Sequence, residues 1–425
     1  MVLSNNYLKG WRNMSVIKVA ILGFGTVGEG VYKTIQSHEA ELTGVLGKKV
    51  EVAAVLIKNK QKTRDISEEV LITTEFAEIL NLPQLDVVVE AIVGKEPTFT
   101  FLKQAIQRGC HIITANKEMF AHYGNELLEL AESHKVSVGY EATVAGGIPV
   151  IQTLRQLLNV NRVRQVQGIL NGTSNFILTE MREKKQSFAA ALGIAQEKGY
   201  AEVDPTNDVE GFDAFYKTMI LSRIAFGEEP NWHDVEREGI TSITSELIET
   251  TAKLGLRFKH IARIERKGNQ IKASVKPALV GKSHPFYPIE GVENAVNLQS
   301  DIVGSITLQG PGAGMYPTAS AVIEDLVFVC QNQPPNKNFH KTTAAVDREE
   351  KSNGKELWFI QGLSTSYLSP SITWVEQTSD DTAILQATKK EMEQLISQQK
   401  ATGYFQIIGE YEALSKNKEV TLAVL

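Results

Sequence analysis

The run Val16–Leu22 is short and apolar, and it ends in Gly23-Phe24-Gly25-Thr26-Val27-Gly28. A buried strand that passes through G-x-G-x-x-G into a helix, residues 29–38, has few folds open to it. In a strand–helix–strand unit each glycine has a reason. Gly23 permits the tight turn, Gly25 lets a pyrophosphate approach the backbone, and Gly28 lets the helix pack on the strand. The helix start then turns free N–H groups toward the phosphates. The spacing alone is weak, because glycine-rich turns are common. Its place at the first strand–helix junction predicts dinucleotide binding rather than a merely structural bend.

The pattern after this turn alternates. Strands are expected at 49–57, 86–91 and 111–114, and helices at 97–108 and 124–134. Strands alternating with helices indicate a parallel, doubly wound sheet, so the fold class is α/β of Rossmann type. This dinucleotide-binding domain spans 16–147 and is completed by 308–332. Residues 148–307 form an α+β catalytic domain. It has helices at 151–158, 175–184, 188–198 and 209–226, and strands at 163–170, 239–243, 261–280 and 292–307. A glycine-rich turn at 309–314 leads into a helix at 317–330. Residues 333–354 are a linker rich in proline and asparagine. Residues 355–425 form a small separate α+β module, with strands at 357–361, 372–377, 383–388 and 404–411 and a helix at 389–399.

Composition removes several classes of function. A chain of 425 residues holds two or three domains, and 42% hydrophobic with 22% charged residues is ordinary for a soluble protein. A net charge of −6 argues against a nucleic-acid partner. No apolar run reaches the roughly 18 residues that span a bilayer, so no membrane partner is expected. Residues 1–15 are a polar tail without the apolar core of a secretory signal. The two cysteines, Cys110 and Cys330, read as core and fit a reducing cytoplasm. With no well-placed cysteine nucleophile, an acylating aldehyde dehydrogenase is disfavoured. None of the eight histidines has metal-ligand spacing, so no zinc site is expected.

Five segments carry chemistry. An acid at the end of the second strand would bind the ribose of NAD. This chain has Lys58 there, followed by Lys60, Lys62 and Arg64, which favours the 2′-phosphate of NADP and leaves NAD possible. Lys117 ends another strand, where open sheets bind their ligands. Glu141 and the turn Val144-Ala145-Gly146-Gly147-Ile148-Pro149 offer one carboxylate and several carbonyls, which suit a hard cation or a bare hinge. Asn171-Gly172-Thr173-Ser174-Asn175 would cap a helix.

The fifth segment is the most unusual. Glu202, Asp204, Asp208, Glu210 and Asp213 precede Lys217. Asp208 is read as an N-cap. Asp213 and Lys217, at i and i+4, share one helical face. Phe212, Phe215, Met219 and Ile220 make the other face apolar, so a solvated surface pair is the weaker reading. Repulsion among Glu202, Asp204 and Asp208 would be relieved by an ammonium-bearing substrate. Lys217 is placed to exchange the proton of a hydroxyl.

These motifs, in this order, resemble the homoserine dehydrogenase family over residues 16–332. Gly23 to Gly28, Ala115-Asn116-Lys117-Glu118, Glu141 to Pro149, Gly168 to Asn175, Gly199 to Pro205 with Lys217, and Gly312-Ala313-Gly314 with Pro317 to Ser320 carry the resemblance. It implies reversible interconversion of L-homoserine and L-aspartate 4-semialdehyde with NAD(P), in threonine, methionine and isoleucine biosynthesis. By position, Phe24, Thr26 and Val27 would contact the dinucleotide, Lys58 its 2′-phosphate, and Gly314 would close over it. Lys117 would lie between cofactor and substrate. Gly199, Glu202 and Asp213 would hold homoserine, with Asp208 close by, and Lys217 would be the proton donor. Glu141, Val144, Gly146 and Ile148 match the family's monovalent-cation site, sodium for example. The resemblance also implies a homodimer or higher oligomer built on the second domain's sheet. Longer members end in a βαββαβ regulatory module of the ACT type. Here the Pro-Gly turn of that module is missing and residues 362–371 are too few for its first helix, so the module is read as degenerate and threonine control is not expected. Two alternatives stand beside this reading. One is a catalytically silent amino-acid sensor, which would not need Lys117, Asp213 and Lys217. The other is an NAD(P) oxidoreductase for a related amino alcohol.

Overall fold

The computed structural model describes residues 15–268, 270–331, 354–362, 369–377, 381–398 and 403–413. The expected N-terminal tail, almost all of the linker and the last residues of the chain lie outside the described residues.

Two sheets organise the chain. In the first, β1 (Val16–Leu22), β2 (Lys49–Leu56), β3 (Leu71–Thr73), β4 (Val87–Glu90), β5 (His111–Thr114) and β6 (Val138–Gly139) lie in the order β3-β2-β1-β4-β5-β6. Every pairing is parallel. The expected doubly wound sheet is present. Its order reverses between β1 and β4, and ligands of such sheets bind outside the strand ends at that point. Helix α1 (Thr26–Ser37) follows the glycine turn, starting earlier than the expected residue 29. Helix α2 (Lys117–Ser133) starts well before the expected residue 124 because Asn116 caps it. Lys117 therefore opens a helix rather than ending a strand.

The second sheet has ten strands. The chain first supplies α3 (Val150–Leu157), β7 (Val163–Ile169), α4 (Gly172–Lys184) and α5 (Phe188–Glu197). Next come α6 (Thr206–Val209), α7 (Phe212–Phe226), β8 (Glu236–Arg237), β9 (Arg257–Lys267) and β10 (Gln270–Val280). The short β8 replaces the strand expected at 239–243. β11 (Glu293–Ser300), β12 (Ser305–Pro311) and α8 (Met315–Cys330) follow. Ala319, Val322 and Leu326 of α8 pack with Val19, Ile21 and Val89, so this late helix belongs to the first sheet. One hydrophobic cluster runs from Leu22 and Val88 of the first sheet, through Phe215, Met219 and Ile220 of α7, to Val166 and Ile264 of the second. Each such burial contributes roughly 1.5–3 kcal/mol of transfer free energy. Helix α7 is thereby fixed between the two sheets.

The helix expected at 209–226 starts at Phe212, and the short α6 precedes it as a separate turn of helix. Gly211 adopts φ 79° between α6 and α7, a conformation costly for any side chain, and a Cβ there would lie 2.9 Å from Cε1 of buried His260. The tail contributes β13 (Lys355–Gln361), β14 (Thr373–Gln377), β15 (Thr382–Thr388), α9 (Lys389–Gln398) and β16 (Gly403–Ile408). These strands run in the order β16-β13-β15-β14 and are antiparallel to one another. The sequence suggests a separate module, but the tail's strands continue the second sheet. β16 pairs in parallel with β10, Leu279 opposite Ile407 and Val280 opposite Ile408. Phe405 and Ile407 also share a core with Phe258 and Leu279.

Candidate active site

The first turn of α7 carries Asp213, and its second carries Lys217. Lys217 Nζ lies 2.7 Å from Asp213 Oδ2. Lys117, from the start of α2, reaches Asp213 Oδ1 at 2.8 Å. Lys217 also donates to the Leu170 carbonyl at 2.6 Å. Asp213 is 4% exposed and Lys217 8%, so this is not a solvated helix-surface pair. The Lys117 side chain is 45% exposed, although its ammonium sits on a buried carboxylate.

The charges shape one another. Burial pushes Asp213 up, but the charges and hydrogen bonds of Lys117 and Lys217 overcome it and hold the carboxyl far below its ordinary range. Burial lowers Lys217 against the pull of Asp213, and the charge of Lys117 lowers it further. Lys217 is therefore a stronger acid than a solvated lysine, which suits proton donation. Asp213 holds Lys117 above the ordinary lysine value.

Asn171, singled out only as a cap, does more. Its Oδ1 accepts from Ser174 N at 2.7 Å, which starts α4. Its Nδ2 donates to Asp208 Oδ1 at 2.7 Å and to Asp213 Oδ2 at 2.9 Å. The amide's orientation is thus fixed, and both its protons serve the two carboxylates. Those partners stand 37 and 42 residues away, so no local signal revealed the bridge.

The acidic segment is less crowded than its sequence. Asp208 is not an N-cap. It lies within α6, where burial and the neighbouring Asp213 raise its carboxyl. Asp204 turns back to its own loop, accepting from Thr206 N at 3.1 Å and Thr206 Oγ1 at 2.6 Å. Glu202 is exposed. Repulsion therefore falls mainly between Asp208 and Asp213, and the two lysines already offset it without a guest. Glu202 adds its field at Lys117. Gly199, with φ 72°, ends α5, its N–H donating to Gln196 O at 3.0 Å.

The glycine turn sits at the end of β1. Gly23 has φ 92°, and a Cβ there would lie 2.7 Å from Ala91 O. A Cβ on Gly28 would lie 2.0 Å from Gly23 O, so Gly28 clears the turn itself more than the strand. Around Gly25, the residue preceding α1, a Cβ would meet nothing within 4 Å. Gly25 and Thr26 are exposed, and Phe24 and Val27 are partly buried. A tight turn, an open cradle and a helix N-terminus fit a pyrophosphate. Gly28→Ala is expected to weaken dinucleotide binding at least about tenfold, since a backbone carbonyl must move. Nucleotide fluorescence titration measures this, and unchanged affinity refutes the role.

The remaining expected residues lie on other segments of the chain. Lys58 is exposed just beyond β2. Arg64 folds back, donating to Asn59 O at 2.9 Å and Lys62 O at 2.7 Å. Gly314 has φ 117° and precedes α8. Glu141 is buried, and its carboxylate accepts from Ile151 N and Gln152 N, both at 2.8 Å, at the start of α3. Val144 and Ile148 are buried, and Gly146 has φ 53°.

A dinucleotide turn at the switch point, with a buried carboxylate between two lysines at the strand ends, is the architecture of a nicotinamide-dependent oxidoreductase. Residues 23–141 match the family model for the homoserine dehydrogenase NAD-binding domain, and residues 149–327 match that for homoserine dehydrogenase. The chain belongs to the homoserine dehydrogenase family. It is 43% identical to the homoserine dehydrogenase of Bacillus subtilis (strain 168) over 321 residues, 75% of this chain and 74% of that protein. It is 40% identical to that of Neisseria gonorrhoeae over 318 residues, 75% of this chain and 73% of the relative. A solved homoserine dehydrogenase from Thiobacillus denitrificans superposes with a TM-score of 0.83 at 34% identity, covering 93% of this chain and 99% of that one. A hyperthermophilic archaeal homoserine dehydrogenase solved in complex with NADPH gives a TM-score of 0.65 at 26% identity, covering 75% of this chain and 99% of that one.

Proposed function

We propose that this enzyme interconverts L-homoserine and L-aspartate 4-semialdehyde, with Lys217 as proton donor and NADP(H) as the preferred cofactor. The observation that carries this is Asp213, buried between Lys217 and Lys117, the latter following β5 of the sheet whose first strand leads into the dinucleotide turn. Phe24, Gly25, Thr26, Val27, Lys117 and Gly314 would hold the dinucleotide, and exposed Lys58 would meet a 2′-phosphate. When bound, the nicotinamide supplies or takes the hydride at the substrate's terminal carbon. Gly199, Glu202, Asp208 and Asp213 would hold the amino acid, the carboxylates drawing in its ammonium. In the reducing direction Lys217 gives its Nζ proton to the aldehyde oxygen as negative charge grows there. In the reverse direction neutral Lys217 takes the hydroxyl proton. The charge of Lys117 favours the oxyanion.

Glu141, Val144, Gly146 and Ile148 would hold a monovalent cation such as sodium. The Glu141 carboxylate already caps α3, so main-chain oxygens would do most of the holding. Residues 16–147 with 308–332 form the dinucleotide domain and 148–307 the catalytic domain. Residues 355–425 form an ACT-like module, which the strand order β16-β13-β15-β14 supports. Homodimers would form through the second sheet, and the enzyme would work in the cytoplasm. The test is to mix the whole protein with aspartate semialdehyde and follow oxidation of NADPH and of NADH by absorbance. Turnover with a preference for NADPH is expected. No turnover with either rejects the reading.

A further inference from the structure

Glu90 closes β4 and is fully buried, on the flank of the crevice where the strand order reverses. No step of the reaction above uses it. Both oxygens of its carboxylate are engaged. Ile92 N donates to Oε1 and Thr114 Oγ1 donates to Oε2, each at 2.6 Å. Ile92 lies against the dinucleotide turn, where a Cβ on Gly23 would come within 2.9 Å of its Cγ1. Thr114 ends β5, and its hydroxyl accepts from Asn116 N at 3.0 Å. Asn116 caps the helix that begins with Lys117, its Oδ1 accepting from Met119 N at 3.0 Å. The Asn116 amide then returns to Ile92 O at 2.9 Å and Gly94 O at 2.7 Å. The bonds close a ring: Glu90, Ile92, Asn116 and Thr114.

A buried carboxylate is a costly way to join two strands. Burial pushes Glu90 up to about 7, although the bonds from Thr114, Ile92 and Asn116 pull the other way. Apolar residues would hold this depth of the sheet at least as well. What they would not do is accept two directed bonds from two different loops at once.

We propose that Glu90 is a positioning residue that locks the cofactor-side segment, residues 91–95, to the helix bearing Lys117. A dinucleotide on the glycine turn and the Lys117 ammonium are then held in one register. This rests on the assignment of Lys117 to the active site. Its own oxygens touch no reacting group, so its effect passes through Thr114 and Asn116.

The test is a double-mutant cycle on the whole protein, read by kcat, by NADPH Kd from nucleotide fluorescence, and by Tm. Glu90→Ala and Thr114→Val are each expected to lower kcat about tenfold and to weaken NADPH binding severalfold, as displaced reacting groups do. The double variant is expected to be no worse than either single one, because both break the same ring. Thr114→Ser keeps the hydroxyl and is expected to stay near wild type. Glu90→Gln keeps the acceptor for Ile92 N–H, and its amide can donate to the Thr114 hydroxyl, which has a second lone pair free to accept. It is expected to recover most of the kcat and NADPH affinity lost in Glu90→Ala. Additive losses, or a fall in Tm with kcat and Kd unchanged, overturn the proposal. If Glu90→Ala does not fold, Thr114→Val decides: losses in kcat and NADPH affinity that Glu90→Gln and Thr114→Ser do not share support the proposal, and their absence rejects it. If wild-type enzyme fails to reduce aspartate semialdehyde, the reaction assigned above is wrong. The cycle in NADPH Kd then decides this proposal separately, and additive or absent effects on Kd reject it.

Discussion

Lys217→Ala lowers kcat for aldehyde reduction by about 10²-fold or more, the usual contribution of a positioned general acid. Lys217→Arg falls by a similar amount. Arginine retains the positive charge beside Asp213, but its guanidinium does not give up a proton near neutral pH. The pair of variants separates proton transfer from charge. If arginine restores turnover, the role of Lys217 is electrostatic, and near-normal rates in the alanine variant would make it structural. Steady-state kinetics at saturating NADPH read the outcome. KM for the aldehyde is expected to change much less than kcat, because the lost interaction belongs to the transition state.

Asp213→Asn is expected to damage both stability and rate. The side chain keeps its shape but loses its charge, and two ammonium groups are left facing a neutral amide. Breaking a buried pair in this way costs about 3–5 kcal/mol. Burial and Lys117 then depress Lys217 further, so less of the donor is charged and kcat falls with it. Urea unfolding measures the stability difference. Its pH dependence has a definite sign. The folded carboxyl lies below its ordinary value, so its contribution is complete above the unfolded titration near 4 and disappears as acid protonates the folded group. The carboxylate's share of the difference between wild type and Asp213→Asn is expected to be constant above about pH 5 and to fade at lower pH. Equal stability at pH 7 rejects the buried pair.

What could be read from the sequence was local. The glycine turn states its requirement within six residues, and the structure gives Gly23 and Gly28 close contacts that no side chain could tolerate without movement. Asp213 and Lys217 were legible because helical spacing puts i and i+4 together. The break at Gly211 was less so, since the glycine was visible but the apolar period continued across it. Asn171 was read as a cap, and its second role depended on Asp208 and Asp213 arriving from far along the chain. Glu90 went unnoticed, although an acid ending the run Val87-Val88-Val89 is unusual in a buried strand. Only sheet pairing shows that Thr114 stands opposite it. The join between β16 and β10 has the same origin, because pairing between distant strands leaves no periodic trace.

That join also sets the order in which the molecule can be finished. Phe405 and Ile407 fill a core whose other walls include Phe258 and Leu279. Those walls leave the ribosome long before the strand that closes them. While the chain is being made, the half-built sheet must wait with an apolar edge uncovered. The catalytic residues are all translated by then, yet the sheet that supports them is completed only by a strand made long after them.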